Sequence, residues 1–184
     1  RFPAMEALPG ESGGRPDLIA ERLNVLRRIE AGDSMVVVTP IVALMQPIPN
    51  QSALQDMFRA LQPQDFIKVP DLLDWMTNAG WVRAATVERP GEFALRGDVL
   101  DIYPDTGPPV RVDLFGDQVE GLYTIDLDTM GSARQLDRVD LVSALGAVSE
   151  GEAHRWLPTL LDDAWTAIVD DVNEVREQSR AYQD

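Results

Sequence analysis

Few side chains in this sequence could do covalent or metal chemistry. Cysteine is absent, which removes disulfides, thiolate nucleophiles and cysteine-based zinc sites together. His154 is the single histidine and stands near the start of a polar helical tract, where a solvated side chain is a simpler reading than a ligand or general base. Ser-His nucleophilic chemistry therefore has little to build on. The single lysine, Lys68, lies in Phe66-Ile67-Lys68-Val69 and not behind the glycine-rich turn from which a phosphate-loop lysine reaches a nucleotide. The stretch PGESGG from Pro9 to Gly14 is glycine-rich but lacks the Lys-Ser/Thr end of such a loop, and reads as a flexible connection. Asp170-Asp171 follows an apolar run, as a Mg²⁺-holding carboxylate would, yet without a phosphate loop the pair reads as a relic or a helix cap. Arg96-Gly97-Asp98 spells a cell-attachment tripeptide, but between two strand patterns it reads as a turn. No catalytic residue, cofactor site or metal site is expected.

Binding chemistry is better represented. Val110 to Phe115 alternates strictly, which places Val110, Val112 and Leu114 on one side of a strand and Arg111, Asp113 and Phe115 on the other. The first set is core. A Phe on the polar side beside an Arg is unusual, because aromatic residues and Arg are the side chains most enriched at interface centres. That side is a candidate binding face. Taken alone, Arg111 could instead pair with Asp113 or a neighbouring strand while Phe115 caps the sheet edge.

The elements that must position these residues follow from periodicity. Leu18, Ile19, Leu23, Leu26 and Ile29 recur at helical spacing behind Pro16, with Gly32 as a stop, which predicts a helix over 17–30. MVVVT at 35–39 and Ala164 to Val169 are short apolar runs that suit strands buried on both faces of a parallel sheet. A short helix is expected over 41–46, a helix over 54–61, a strand over 66–69, a helix over 71–78 capped by Asp71 and ended by Gly80, and a polar helix over 172–182. Between Val82 and Val142, short strand patterns alternate with turn residues and predict a curled antiparallel sheet. The expected fold is α/β: a parallel-sheet lobe interrupted by an inserted mixed α/β domain built on an antiparallel sheet. Its boundaries are 1–49 and 145–184 for the lobe and 50–144 for the insert.

The 184 residues carry 31 acidic and 16 basic side chains, a formal charge of -15. A field of that sign repels phosphate backbones, so the chain is not expected to grip DNA by itself. The scattered acidity reads as ordinary solubility and not as a nucleic-acid mimic. No apolar run reaches the roughly 20 residues that span a bilayer, and the beginning at Arg1-Phe2-Pro3 shows no basic stretch leading into an apolar run, so a cytoplasmic site is expected. Opening without methionine and ending in a polar helix, the sequence reads as an excised piece.

The stretch PGEFALRGDVLDIYPDTGPPVRVDLFGDQVEGLYTID, Pro90 to Asp126, resembles the second domain shared by the excision-repair protein UvrB and bacterial transcription-repair coupling factors. FPAMEALP at Phe2 to Pro9, AERLNVLRRI at Ala20 to Ile29 and VVVTPIVALMQPIP at Val36 to Pro49 are more similar to the coupling factor than to UvrB. The resemblance weakens between Gln51 and Asp71 and around Ser143 to Ala153. It implies that the lobe is a degenerate helicase-like one, of the P-loop NTPase type but without its nucleotide site. It further implies that the inserted domain binds UvrA, with Arg96, Arg111 and Phe115 at the matching positions. Each Arg would then fork onto a partner carboxylate, with Phe115 filling an apolar pocket. In the intact protein, RNA polymerase and DNA would be engaged by other domains, the latter through an ATP-dependent translocase. A fragment of UvrB itself is the alternative. The aromatic-rich hairpin expected of UvrB is not supplied, since Met45 to Ala53 runs straight into the insert.

Overall fold

The computed structural model describes residues 1–5, 15–145 and 155–183, so His154 and the PGESGG stretch lie outside the described residues. The chain divides into two compact units, Arg1–Gln55 with Gly146–Asp184, and Asp56–Leu145. Residues 50–55, placed with the insert from sequence, group with the first unit. Among the described residues, no helix is long and apolar enough to cross a membrane.

In the first unit, α1 (Pro16–Glu30) begins at Pro16, whose fixed φ suits the first helical turn, and buries Ile19, Leu23, Leu26 and Ile29. Its end is sealed when Gly32 and Asp33 donate their N–H groups to the Ile29 and Arg28 carbonyls, both at 3.0 Å. Arg22 is buried on this helix. Its Nη1 donates to the Pro3 carbonyl at 2.7 Å and its guanidinium lies 4.1 Å from the Phe2 ring centroid. Burial pushes its pKa down to about 10, which leaves it charged at neutral pH. Gln46, after α2 (Ile41–Met45), pins the same segment by accepting from Met5 N–H and donating to the Met5 carbonyl, each at 2.7 Å. A helix α3 (Gln51–Asp56) follows. The second pass of the chain joins the first where Ile48 and Arg155 exchange backbone hydrogen bonds and Arg155 Nη2 donates to Glu30 Oε1 at 2.7 Å. After a 3-10 turn at Leu157–Leu160, the polar helix that closes the chain packs on α2.

The two strands expected in this unit are not formed. Residues 35–39 are extended, with Val36 and Val38 exposed and one backbone bond from Phe2 N–H to the Val38 carbonyl. Residues 164–169 are irregular, with Ile168 and Val169 exposed. The physical reason is the lack of partners: the sheets among the described residues are built from strands of the other unit, so neither run has a neighbour to complete its hydrogen bonds. Asp170-Asp171 does cap a helix. Asp171 Oδ1 accepts the Glu174 N–H at 3.1 Å at the start of the closing helix, Val172–Gln183.

The second unit is mixed α/β. Its first strand, β1 (Phe58–Leu61), lies where a helix over 54–61 is expected; α3 stops at Asp56 because residues 58–61 instead pair antiparallel with 139–142. The expected strand over 66–69 shrinks to a single bridge between Phe66 and Gln118. Pro70 starts α4 (Val69–Asn78) early, so Asp71 sits in the first turn, where it favours the helix dipole, and Lys68 takes the cap position. Gly80, at φ +88°, ends α4 with Trp81 N–H on the Met76 carbonyl at 2.9 Å.

The main sheet runs β2 (Val82–Arg83), β3 (Glu92–Arg96), β4 (Val99–Tyr103), β5 (Val110–Phe115), β6 (Gln118–Asp126) and β7 (Gly131–Gln135), in that order. All neighbours are antiparallel except β2 and β3. Leu100, Ile102, Val110, Val112 and Leu114 turn inward to Leu72, Met76 and Trp81 and form the core as the alternation requires. The last strand, β8 (Val139–Val142), pairs with β1 and accepts the Trp81 indole N–H at the Val142 carbonyl. Replacing Leu100 by Ala should cost about 2–5 kcal/mol in urea unfolding, because a methyl-lined cavity is left in this core. Val38→Ser should change stability by less than about 0.5 kcal/mol. A large effect of Val38→Ser would show that the 35–39 run is covered in solution.

Candidate functional site

The candidate residues sit on the outer face of the β3–β4–β5 strands. Ala94 and Arg111 stand directly opposite Asp101 on its two neighbouring strands, and cross-strand partners point to the same face. Arg96 is two residues beyond Ala94, the diagonal position that only a long side chain can bridge. The result is one carboxylate between two guanidinium groups. Arg111 Nε donates to Asp101 Oδ1 at 2.7 Å and Arg111 Nη2 to Oδ2 at 2.9 Å, while Arg96 Nη2 donates to Oδ2 at 2.6 Å.

The three side chains differ in access. Asp101 is 0% exposed, Arg111 15% and Arg96 47%. A third Arg111 bond, Nη1 to the Met130 carbonyl at 3.2 Å, ties down the turn after β6. Asp126 Oδ1 shapes that turn by accepting the Asp128 and Thr129 N–H groups. The bonds to Asp101 hold the Arg111 proton more tightly than usual and push its pKa up. Asp113, two residues along the same face of β5, adds a second negative charge that acts on Arg111, so the two guanidinium groups are matched by two carboxylates. Beside it, Val87, Ala94 and Ile125 form a small apolar patch with Tyr103 and Met130.

In the unbound chain the Arg111 fork lies on Asp101 of its own chain. Arg96 differs: of a guanidinium's five N–H groups it uses one on Asp101, and the rest make no bond within the described residues. Phe115 is 72% exposed at the end of β5. Gly97-Asp98 and Gly116-Asp117 are two-residue turns at the same end of the sheet. Gly97 and Gly116 take φ +60° at the first central position, as such hairpins demand. The structure thus brings Arg96, Arg111 and Phe115 to one face, with Arg96 and Phe115 accessible and Arg111 largely covered beside Asp101.

Asp101 is the residue that sequence reasoning missed. Its signal was present, since an Asp in the middle of an apolar strand pattern, Val99-Leu100-Asp101-Ile102-Tyr103, is costly unless paired. Among the described residues, no three His, Asp or Glu converge as a metal site would require. Removing the buried carboxylate leaves two unbalanced cations, so Asp101→Ala should destabilise the domain by about 3 kcal/mol. Arg96→Ala should cost less than about 1 kcal/mol, because Arg111 still satisfies Asp101 and the Arg96 pair is half in solvent. Equal losses in thermal unfolding would contradict this division of roles.

Residues 60–145 match the family model described as the UvrB interaction domain. The chain is 27% identical over 166 residues to the transcription-repair-coupling factor of Staphylococcus aureus (strain bovine RF122 / ET3-1), covering 90% of this chain and 14% of that protein. It is 30% identical over 142 residues to the transcription-repair-coupling factor of Bacillus subtilis (strain 168), covering 76% of this chain and 12% of that protein. The chain therefore spans only a small part of the length of these relatives. Residues 60–145, which hold the Asp101 cluster and Phe115, belong to the UvrB interaction domain family, within a chain similar along most of its length to transcription-repair-coupling factors.

Proposed function

We propose that the second unit is a protein-docking module of a transcription-repair coupling factor and that UvrA is what it docks. The observation that carries this reading is the pairing of an accessible, electropositive Arg96 with an exposed Phe115 on a face pre-ordered by Asp101. Arg96 reaches a carboxylate of UvrA, Phe115 enters an apolar pocket, and Arg111 fixes Asp101, and through it Arg96, in place. Pre-ordering matters because a side chain already immobilised loses less entropy on binding.

The first unit belongs, on this reading, to a degenerate helicase-like lobe without nucleotide chemistry of its own. The working ATP-dependent DNA translocase and the RNA polymerase contact lie in other parts of the protein, which acts in the cytoplasm and recruits UvrA to polymerase stalled at DNA damage. No cofactor is assigned to this chain. A fragment of UvrB remains the second reading. Similarity along 76–90% of the chain to proteins named as coupling factors favours the first.

The test is calorimetry of the chain with purified UvrA. Arg96→Ala and Phe115→Ala alter exposed side chains and should fold normally, and each should weaken binding by about tenfold or more. Affinity of the unmodified chain should fall as salt rises from about 0.05 to 0.5 M, since the Arg96 contact is electrostatic and partly exposed. Flat salt dependence would remove Arg96 from the contact. Absence of binding at every salt concentration would overturn UvrA as the partner.

A further inference from the structure

We propose that Phe66 is a second aromatic contact of the same docking face, so that an apolar side chain of UvrA is held between Phe66 and Phe115 above Gln118. The inference rests on the reading of this face as the UvrA dock and adds a residue that neither the family resemblance nor the sequence pattern assigns to it.

The geometry begins at Gln118, the first residue of β6. On one side it pairs with Phe115 of β5, and on the other it forms a bridge with Phe66. The bridge is secured by Ile67 N–H on the Asp117 carbonyl at 2.7 Å and Val119 N–H on the Asp65 carbonyl at 2.9 Å. This is the non-hydrogen-bonded type of antiparallel pair, in which the two Cα atoms approach to about 4.5 Å and the side chains share a face.

The flanking residues settle which face that is. Ile67 and Val119 pack into the core, so Phe66 and Gln118 turn outward, as Phe115 does by alternation with Leu114. Phe66 is 79% exposed, more than Phe115. Two strand spacings separate their backbones by about 10 Å. Phe66, Gln118 and Phe115 thus form a row, with a half-buried polar floor and an aromatic ring at each end.

Such a row suits one inserted aliphatic side chain touching both rings. Charge beside the row is mixed: Arg96 stands at the same end of the sheet and Lys68 follows Phe66 by two residues, while Asp65 and Asp117 flank the bridge and Asp113 shares the outer face of β5. Continuity with the Arg96 and Phe115 face is what commits the row to UvrA and not to a second copy of the chain.

The experiment is a double-mutant cycle of Phe66→Ala and Phe115→Ala in the full chain, read by calorimetry with UvrA, with unfolding curves confirming that each exposed substitution leaves the fold intact. Phe66→Ala should weaken binding by about tenfold, and the double variant should lose clearly less than the product of the single losses, because both rings hold one side chain. Binding within twofold of the unmodified chain for Phe66→Ala, with Phe115→Ala still impaired, would overturn the inference and leave the docking reading standing. Additive losses would overturn the shared pocket. Concentration-dependent dimerisation abolished by Phe66→Ala, with unchanged UvrA affinity, would assign the row to self-association and overturn it as well. No UvrA binding by the unmodified chain would sink the docking reading itself.

Discussion

A buried carboxylate organises the outer face of this domain. Asp101 lies fully out of solvent in the middle of a strand, a position that is tolerable only because two guanidinium groups give it three hydrogen bonds. Those bonds fix the rotamers of Arg96 and Arg111, couple three neighbouring strands, and through Arg111 fasten the turn at Met130. A surface arginine ordinarily samples many conformations, and here one is held in place by a residue that solvent cannot reach. The same arrangement leaves the Arg96 guanidinium half in solvent on a strongly acidic chain.

The inner face serves a different purpose. Branched aliphatic side chains from β4 and β5 pack on α4 and Trp81, and this core sets the plane of the sheet. Because the pleat alternates, whatever is fixed inside determines what points outside: Leu114 in the core turns Phe115 to the outer face, and Ile67 against the core turns Phe66 there too. The tight turns at Gly97-Asp98 and Gly116-Asp117 then keep that end of the face free of long loops. On the docking reading, the presentation of these side chains is a consequence of register.

Much of the architecture was legible where the signal is local. α1 follows from apolar spacing with proline at the start and glycine at the end, α4 was legible up to its stop at Gly80 though its start was placed at Asp71, and the outward set Arg111, Asp113 and Phe115 follows from strict alternation. Failures occurred where the deciding partner is distant or missing from view. Phe58–Leu61 resembles the end of a helix until its pairing with Val139–Val142 is known, and the apolar runs at 35–39 and 164–169 indicate burial without saying what would cover them. Arg96 and Arg111 were singled out in the sequence, but their bonds to Asp101 could not be, because the diagonal that joins them exists only after the strands are in register. Phe66 was passed over for the same reason: its row is created by a bridge to Gln118.

The most direct test of the account is amide hydrogen exchange of the chain with and without UvrA. Slower exchange should be confined to the segments around 65–67, 94–99 and 111–119, with α1 unchanged. Protection of α1 or of the closing helix in the first unit, with those three segments unaffected, would contradict the assignment of the outer sheet face as the docking surface.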